Sequence, residues 1–162
     1  MTLRSTSLRQ IALLSCAFAM PLAIAPVHAA DAVTAAAAPA PGSATLDVRF
    51  TGIQAPTGAV LFAVYDGEVA YAADGRAVRR AMAPVKDGAA ALSFTGLAPG
   101  HYAIKAFHDI DGDGKMGTNP FGMPTEPFAF SNDAKGNMGP ATWADAQFAV
   151  GAGTTAQTIT IR

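Results

Sequence analysis

The sequence predicts an all-β fold: an antiparallel β-sandwich of about seven strands in one domain, carrying one long ordered loop. Three observations carry this expectation. From residue 45 onward, apolar residues recur at every second position rather than every third or fourth. The apolar runs are short, and most are separated by Gly/Pro turns. No cysteine follows Cys16, so the domain must be held by a core, and about 120 residues suffice for one.

Each element follows from its residues. Leu46, Val48 and Phe50 alternate with Thr45, Asp47, Arg49 and Thr51, which predicts a strand with one buried face. Gly58 to Tyr65 (GAVLFAVY) is apolar on both faces, as a central strand requires. Residues 66–80 are broken by Asp74-Gly75 and read as a loop. Val78 to Val85 and Ala89 to Phe94 are weaker strands joined by Lys86-Asp87-Gly88, whose Asp-Gly pair marks a hairpin. Leu97-Ala98-Pro99-Gly100 is a turn, and His101 to His108 then puts Tyr102, Ile104 and Ala106 on one side. Ala146, Phe148 and Val150 alternate, and Ile159 and Ile161 close the chain. The expected core is Leu46, Val48, Phe50, Val60, Phe62, Val64, Leu92, Phe94, Tyr102, Ile104, Phe148, Ile159 and Ile161.

Residues 1–29 read as an export signal. Arg4 and Arg9 precede an apolar run from Ile11 to Ala25, and Val27-His28-Ala29 supplies small residues before a cut. The expected address is the periplasm or the outside of the cell, with no transmembrane segment once the signal is removed. Cleavage also removes the only cysteine, which excludes disulfides and thiol nucleophiles. Nine basic residues then face twelve acidic ones, a formal charge of −3 with no basic patch, so nucleic acid is not an expected partner. Residues 30–44, rich in Ala and Pro, read as a linker, leaving 45–162 as the β-sandwich domain.

The segment from Asp109 to Thr142 is long for a connection in a small domain. Phe121, Met123, Phe128, Phe130, Met138 and Trp143 within and beside it predict an ordered excursion anchored by core packing rather than an exposed aromatic platform. It opens with His108-Asp109-Ile110-Asp111-Gly112-Asp113-Gly114-Lys115. Asp at alternate positions followed by Gly is the first half of a calcium loop, with the Lys115 carbonyl as a further ligand and Glu126 as the carboxylate able to fold back. The expected metal ligands are therefore Asp109, Asp111, Asp113, Lys115 and Glu126, all oxygen donors, which suits Ca²⁺. A self-capped turn competes, because Asp side chains accept from nearby backbone N–H groups without an ion.

Several motifs occur in order: Leu97-Ala98-Pro99-Gly100-His101-Tyr102, the Asp loop, Gly122-Met123-Pro124-x-Glu126, Phe130-Ser131-Asn132, Gly139-Pro140 and Trp143-x-Asp145-Ala146-x-Phe148. Together they resemble a bacterial secreted family catalogued as domain of unknown function 2141. The resemblance covers roughly residues 45–162 and implies an immunoglobulin-like or transthyretin-like sandwich and an exported location, with no activity attached. The chain departs from the family pattern at Gly117, where an acidic residue often follows the Asp loop.

Enzyme signatures are scarce. None of Ser43, Ser93 and Ser131 lies in a G-x-S-x-G elbow, and Glu68 and Glu126 are the only glutamates. His101 and His108 are an odd number of residues apart, on opposite faces of one strand, which argues against a shared metal. The expected function is an exported, non-enzymatic, calcium-stabilised module that binds a protein, peptide or carbohydrate or contacts the envelope. The alternative is a metal-dependent hydrolase using His108, Asp109 and Glu126 in a cleft formed by the long loop.

Overall fold

Eight strands form two sheets in the computed structural model, which describes residues 44–162. The expected export signal and nearly all of the expected linker lie outside the described residues. Strand β1 (Ala44–Thr51) begins at the last linker position, and Ala44 is already buried.

Strand β1 is the middle of a three-stranded sheet, between β4 (Ala90–Leu97) and β8 (Gly153–Thr160). The other sheet runs in the order β3 (Arg79–Pro84), β2 (Ala59–Tyr65), β5 (Gly100–Asp109), β6 (Phe128–Phe130). Strand β7 (Phe148–Val150) pairs with the start of β5. This is the expected all-β sandwich, with one difference in direction: β1 and β8 run parallel, from Ala44↔Gly153 to Thr51↔Thr160. Alternation specifies which residues face inward but is the same for either strand direction.

The inner faces meet in one core. Leu46, Val48, Phe50 and Ile159 face Val60, Phe62, Val64 and Ile104, all buried, and Leu92, Phe94 and Phe148 pack against them half-buried. The Phe62 ring lies 5.0 Å from Phe50 and 5.6 Å, edge-on, from Phe94.

Residues 66–80, expected to be a loop, contain a short helix, α1 (Glu68–Ala72). Asp74, with φ of 49°, comes just after this helix, so the Asp-Gly break marks the end of a helical turn instead of forbidding one. Tyr71 on α1 is buried edge-on to Tyr65 and Trp143, and these rings with Ala63, Ala103 and Phe130 form a second cluster on the outer side of the larger sheet.

The Phe130-Ser131-Asn132 motif is a latch. The buried Ser131 hydroxyl accepts from Ile104 N at 2.9 Å and donates to Ala146 O at 2.5 Å, joining β5 to the short helix α2 (Trp143–Ala146). Asn132 takes left-handed φ and donates to Gln147 O at 2.7 Å, while Asp133 accepts from Thr160 N on β8 at 2.7 Å. The long excursion is thereby tied to both sheets.

Candidate functional site

Two features meet at one end of the larger sheet: the Asp loop and an apolar groove beside it.

Strand alternation sends His108 and Asp109 to opposite faces. His108 points into the sandwich with no exposed surface, and its Nε2 is 2.7 Å from Thr57 O. A Cβ at Gly58 would overlap the Asp109 carbonyl, and φ of 82° there also favours glycine, so β2 and the end of β5 approach closely. Asp109, 3% exposed, accepts from Gly112 N at 2.8 Å and Gly114 N at 3.0 Å, one bond to each oxygen. Asp111 accepts from Asp113 N at 3.1 Å, and Asp113 from Lys115 N at 2.7 Å. Glu126 folds back and clamps the loop at both ends, through Ile110 N at 2.9 Å and Gly117 N at 2.9 Å. The like charges of this loop are thus met by six backbone donors.

Of the five expected ligands, the fold brings three together. Carboxylate oxygens of Asp109, Asp111 and Glu126 lie within 4.8 Å of one another. Asp113 does not belong to that group. The three offer only hard oxygen donors, and each bonded oxygen keeps a second lone pair, so the donor chemistry suits Ca²⁺. His108 is not part of the cluster, because its imidazole is on the other side of the sheet.

The groove comes from residues on the outer face of the larger sheet. Register places Met82, Leu61, Phe107 and Phe128 in one cross-strand row, and Arg80, Ala63, Lys105 and Phe130 in the next. The long loop supplies the facing wall with Met116, Phe121, Met123 and Met138, enclosing about 1250 Å³. Every methionine among the described residues lines this groove. Phe121 is 89% exposed and Met138 fully so.

The loop aromatics therefore divide. Phe130 and Trp143 pack as expected, but Phe121 and Phe128 are exposed in the groove. Phe128 stands on the outer face of β6 and Phe121 on the loop wall opposite, so both line the groove instead of the core. Leu61, Phe107 and Met82 join the groove without a motif to mark them, and Arg80, which with Arg79 reads in the sequence as a solvated basic edge, lines its polar end. The signal for the groove floor was the apolar outer positions of β2, where Leu61, Ala63 and Tyr65 follow one another at period two.

At the other end of the groove, Lys105 Nζ is bound to Asp74 at 2.5 Å and stands 4.5 Å over the Tyr71 ring. Burial raises the pKa of the Tyr65 hydroxyl, and the charge of Arg80 beside it opposes that rise. Burial likewise raises Tyr71, with nearby Asp74 adding to it.

These sheets and this groove define an all-β sandwich with an apolar cleft on one outer face. The chain belongs to the family described as uncharacterized protein conserved in bacteria (DUF2141), which it matches over residues 48–158. No curated protein matches the chain, and no solved structure does.

Proposed function

We propose that this protein is an exported, non-catalytic binding module whose ligand seat is the apolar groove on the outer face of its larger sheet. The carrying observation is the groove's composition. Large side chains from strands and loop are left exposed together, and contiguous exposed apolar surface of this kind marks interaction sites. Four methionines add polarisable, adaptable walls, as at binding surfaces that accept varied shapes. The burial of His108 away from Asp109 and Glu126 supports a binding rather than a hydrolytic role, since this imidazole and these carboxylates do not face a shared open space. Titration with Nile red, an uncharged apolar dye, tests the reading. Its fluorescence should rise on binding, and Met82→Glu and Phe121→Glu, on opposite walls, should each remove most of that rise. Dye binding that ignores both substitutions would place the seat elsewhere.

Calcium enters this proposal as a stabiliser of the groove's rim. The support is the convergence of Asp109, Asp111 and Glu126 at the base of the loop that carries Phe121 and Met123. An ion there would hold the loop rather than take part in chemistry.

A further inference from the structure

We propose that the groove accepts a single-chain amphiphilic anion, a free long-chain carboxylate, with its head at Arg80 and its chain along Leu61 and Phe107. This rests on the groove being the ligand seat and adds the class of ligand.

The argument is the order of the two cross-strand rows. Met82–Leu61–Phe107–Phe128 is wholly apolar, whereas Arg80–Ala63–Lys105–Phe130, about 7 Å further along the strands, carries two cations. Ala63 lies between those cations at the floor of the groove, buried in the cluster around Tyr71. The charged residues lining the groove are Asp74, Arg80 and Lys105, so its polar end holds one uncompensated positive charge. Lys105 is committed to Asp74 and to the Tyr71 ring. Arg80 is exposed and among the described residues donates to Gly75 O at 3.3 Å and lies within hydrogen-bonding reach of the Tyr65 hydroxyl, which leaves further guanidinium N–H groups for a carboxylate. The Tyr65 hydroxyl adjoins it. An apolar channel with one net positive charge at one end is complementary to one chain with one negative charge. A dianion or a zwitterion would leave charge unmatched.

Isothermal titration of the purified protein with decanoate, octanoate and decyltrimethylammonium tests this, with near-UV circular dichroism checking the fold of every variant. Decanoate should bind at least tenfold more tightly than decyltrimethylammonium. It should also bind about tenfold more tightly than octanoate, since each buried CH₂ contributes a factor of roughly three to four. Arg80→Gln should erase the preference for the anion while the chain-length dependence survives. Phe121→Glu should weaken both decyl probes. Equal binding of the two decyl probes, or an Arg80→Gln variant indistinguishable from the parent, overturns the assignment of the head and leaves the apolar seat standing. If Nile red binds in the groove but no alkyl probe does, the ligand class is wrong and the seat remains. If neither binds, both readings fall. Capture by anionic phospholipid vesicles without affinity for monomeric decanoate would also overturn it, in favour of a membrane surface.

Discussion

Gly117 donates its backbone N–H to Oε2 of Glu126 at 2.9 Å, and a Cβ on Gly117 would stand 2.7 Å from Thr125 Oγ1. The absence of a side chain at residue 117 therefore lets the strand of loop carrying Glu126 close against it. Glu126 thus brings a carboxylate to residue 117 from nine residues further along.

This clamp predicts a stability cost. Glu126 satisfies Ile110 N and Gly117 N at once, so Glu126→Ala should lower unfolding free energy by roughly 1–3 kcal/mol in urea denaturation. Glu126→Gln should keep much of that loss, because its NH₂ turns one acceptor into a donor facing an N–H. A change under about 0.3 kcal/mol in both variants would show that water replaces the carboxylate freely.

Calcium should raise the melting temperature, at weak affinity. Three carboxylates without a bidentate closing Glu at loop position 12 imply a dissociation constant on the order of 10⁻⁴–10⁻³ M. Calcium at about ten times that value should then add roughly 1.4 kcal/mol by binding only the folded state. Magnesium should do less, because it demands tight octahedral geometry. Asp111 is exposed and accepts one backbone bond, so Asp111→Ala, which removes the oxygen donor, should abolish the calcium effect at a small cost to the calcium-free protein, whereas Asp111→Asn should only weaken it. A melting curve unmoved by millimolar calcium would leave these residues as turn formers alone.

Much of the fold was legible because alternation is a property of faces. Leu46, Val48, Phe50, Val60, Phe62, Val64 and Ile104 all point inward as their spacing required. The direction of β8 was not legible, since parallel and antiparallel strands bury the same alternate residues. Nor was β6, whose three residues are too few to show a period. In the Asp loop, spacing alone identified the carboxylates, but which of them converge depends on Glu126 folding back, a long-range fact. The groove escaped notice because Leu61 and Phe107 look like core residues of a central strand. They are half-buried at the floor of a groove whose facing wall comes from a distant part of the chain, a long-range fact that spacing does not carry.

The core itself should be sensitive at Phe62. Its ring is nearly buried between Phe50 and Phe94, so Phe62→Ala loses transfer energy, leaves a cavity and breaks two ring contacts. The expected cost is about 3–5 kcal/mol, and Ile104→Ala should cost about 2–5 kcal/mol, both by chemical denaturation. Losses below about 0.5 kcal/mol at both positions would mean that the inward face has been wrongly assigned.

Tyr71 gives the last expectation, on pH. Its hydroxyl is buried with no hydrogen-bond partner among the described residues, and burial raises its pKa above the ordinary 10.0. The unfolded chain releases this proton near pH 10 while the folded chain keeps it, so stability is full below pH 10 and falls as pH rises beyond it. Tyr71→Phe removes the titrating group and the unsatisfied hydroxyl but keeps the ring under Lys105 and against Tyr65 and Trp143. Stability at pH 7 should therefore change by less than about 1 kcal/mol, with any gain coming from the lost desolvation cost. The alkaline limb of the stability curve should become shallower without becoming flat, because Tyr65 and Tyr102 are also raised by burial. Urea unfolding of both proteins between pH 7 and 11.5 measures this. Parallel alkaline limbs would mean that Tyr71 ionises as readily in the folded chain as in the unfolded one.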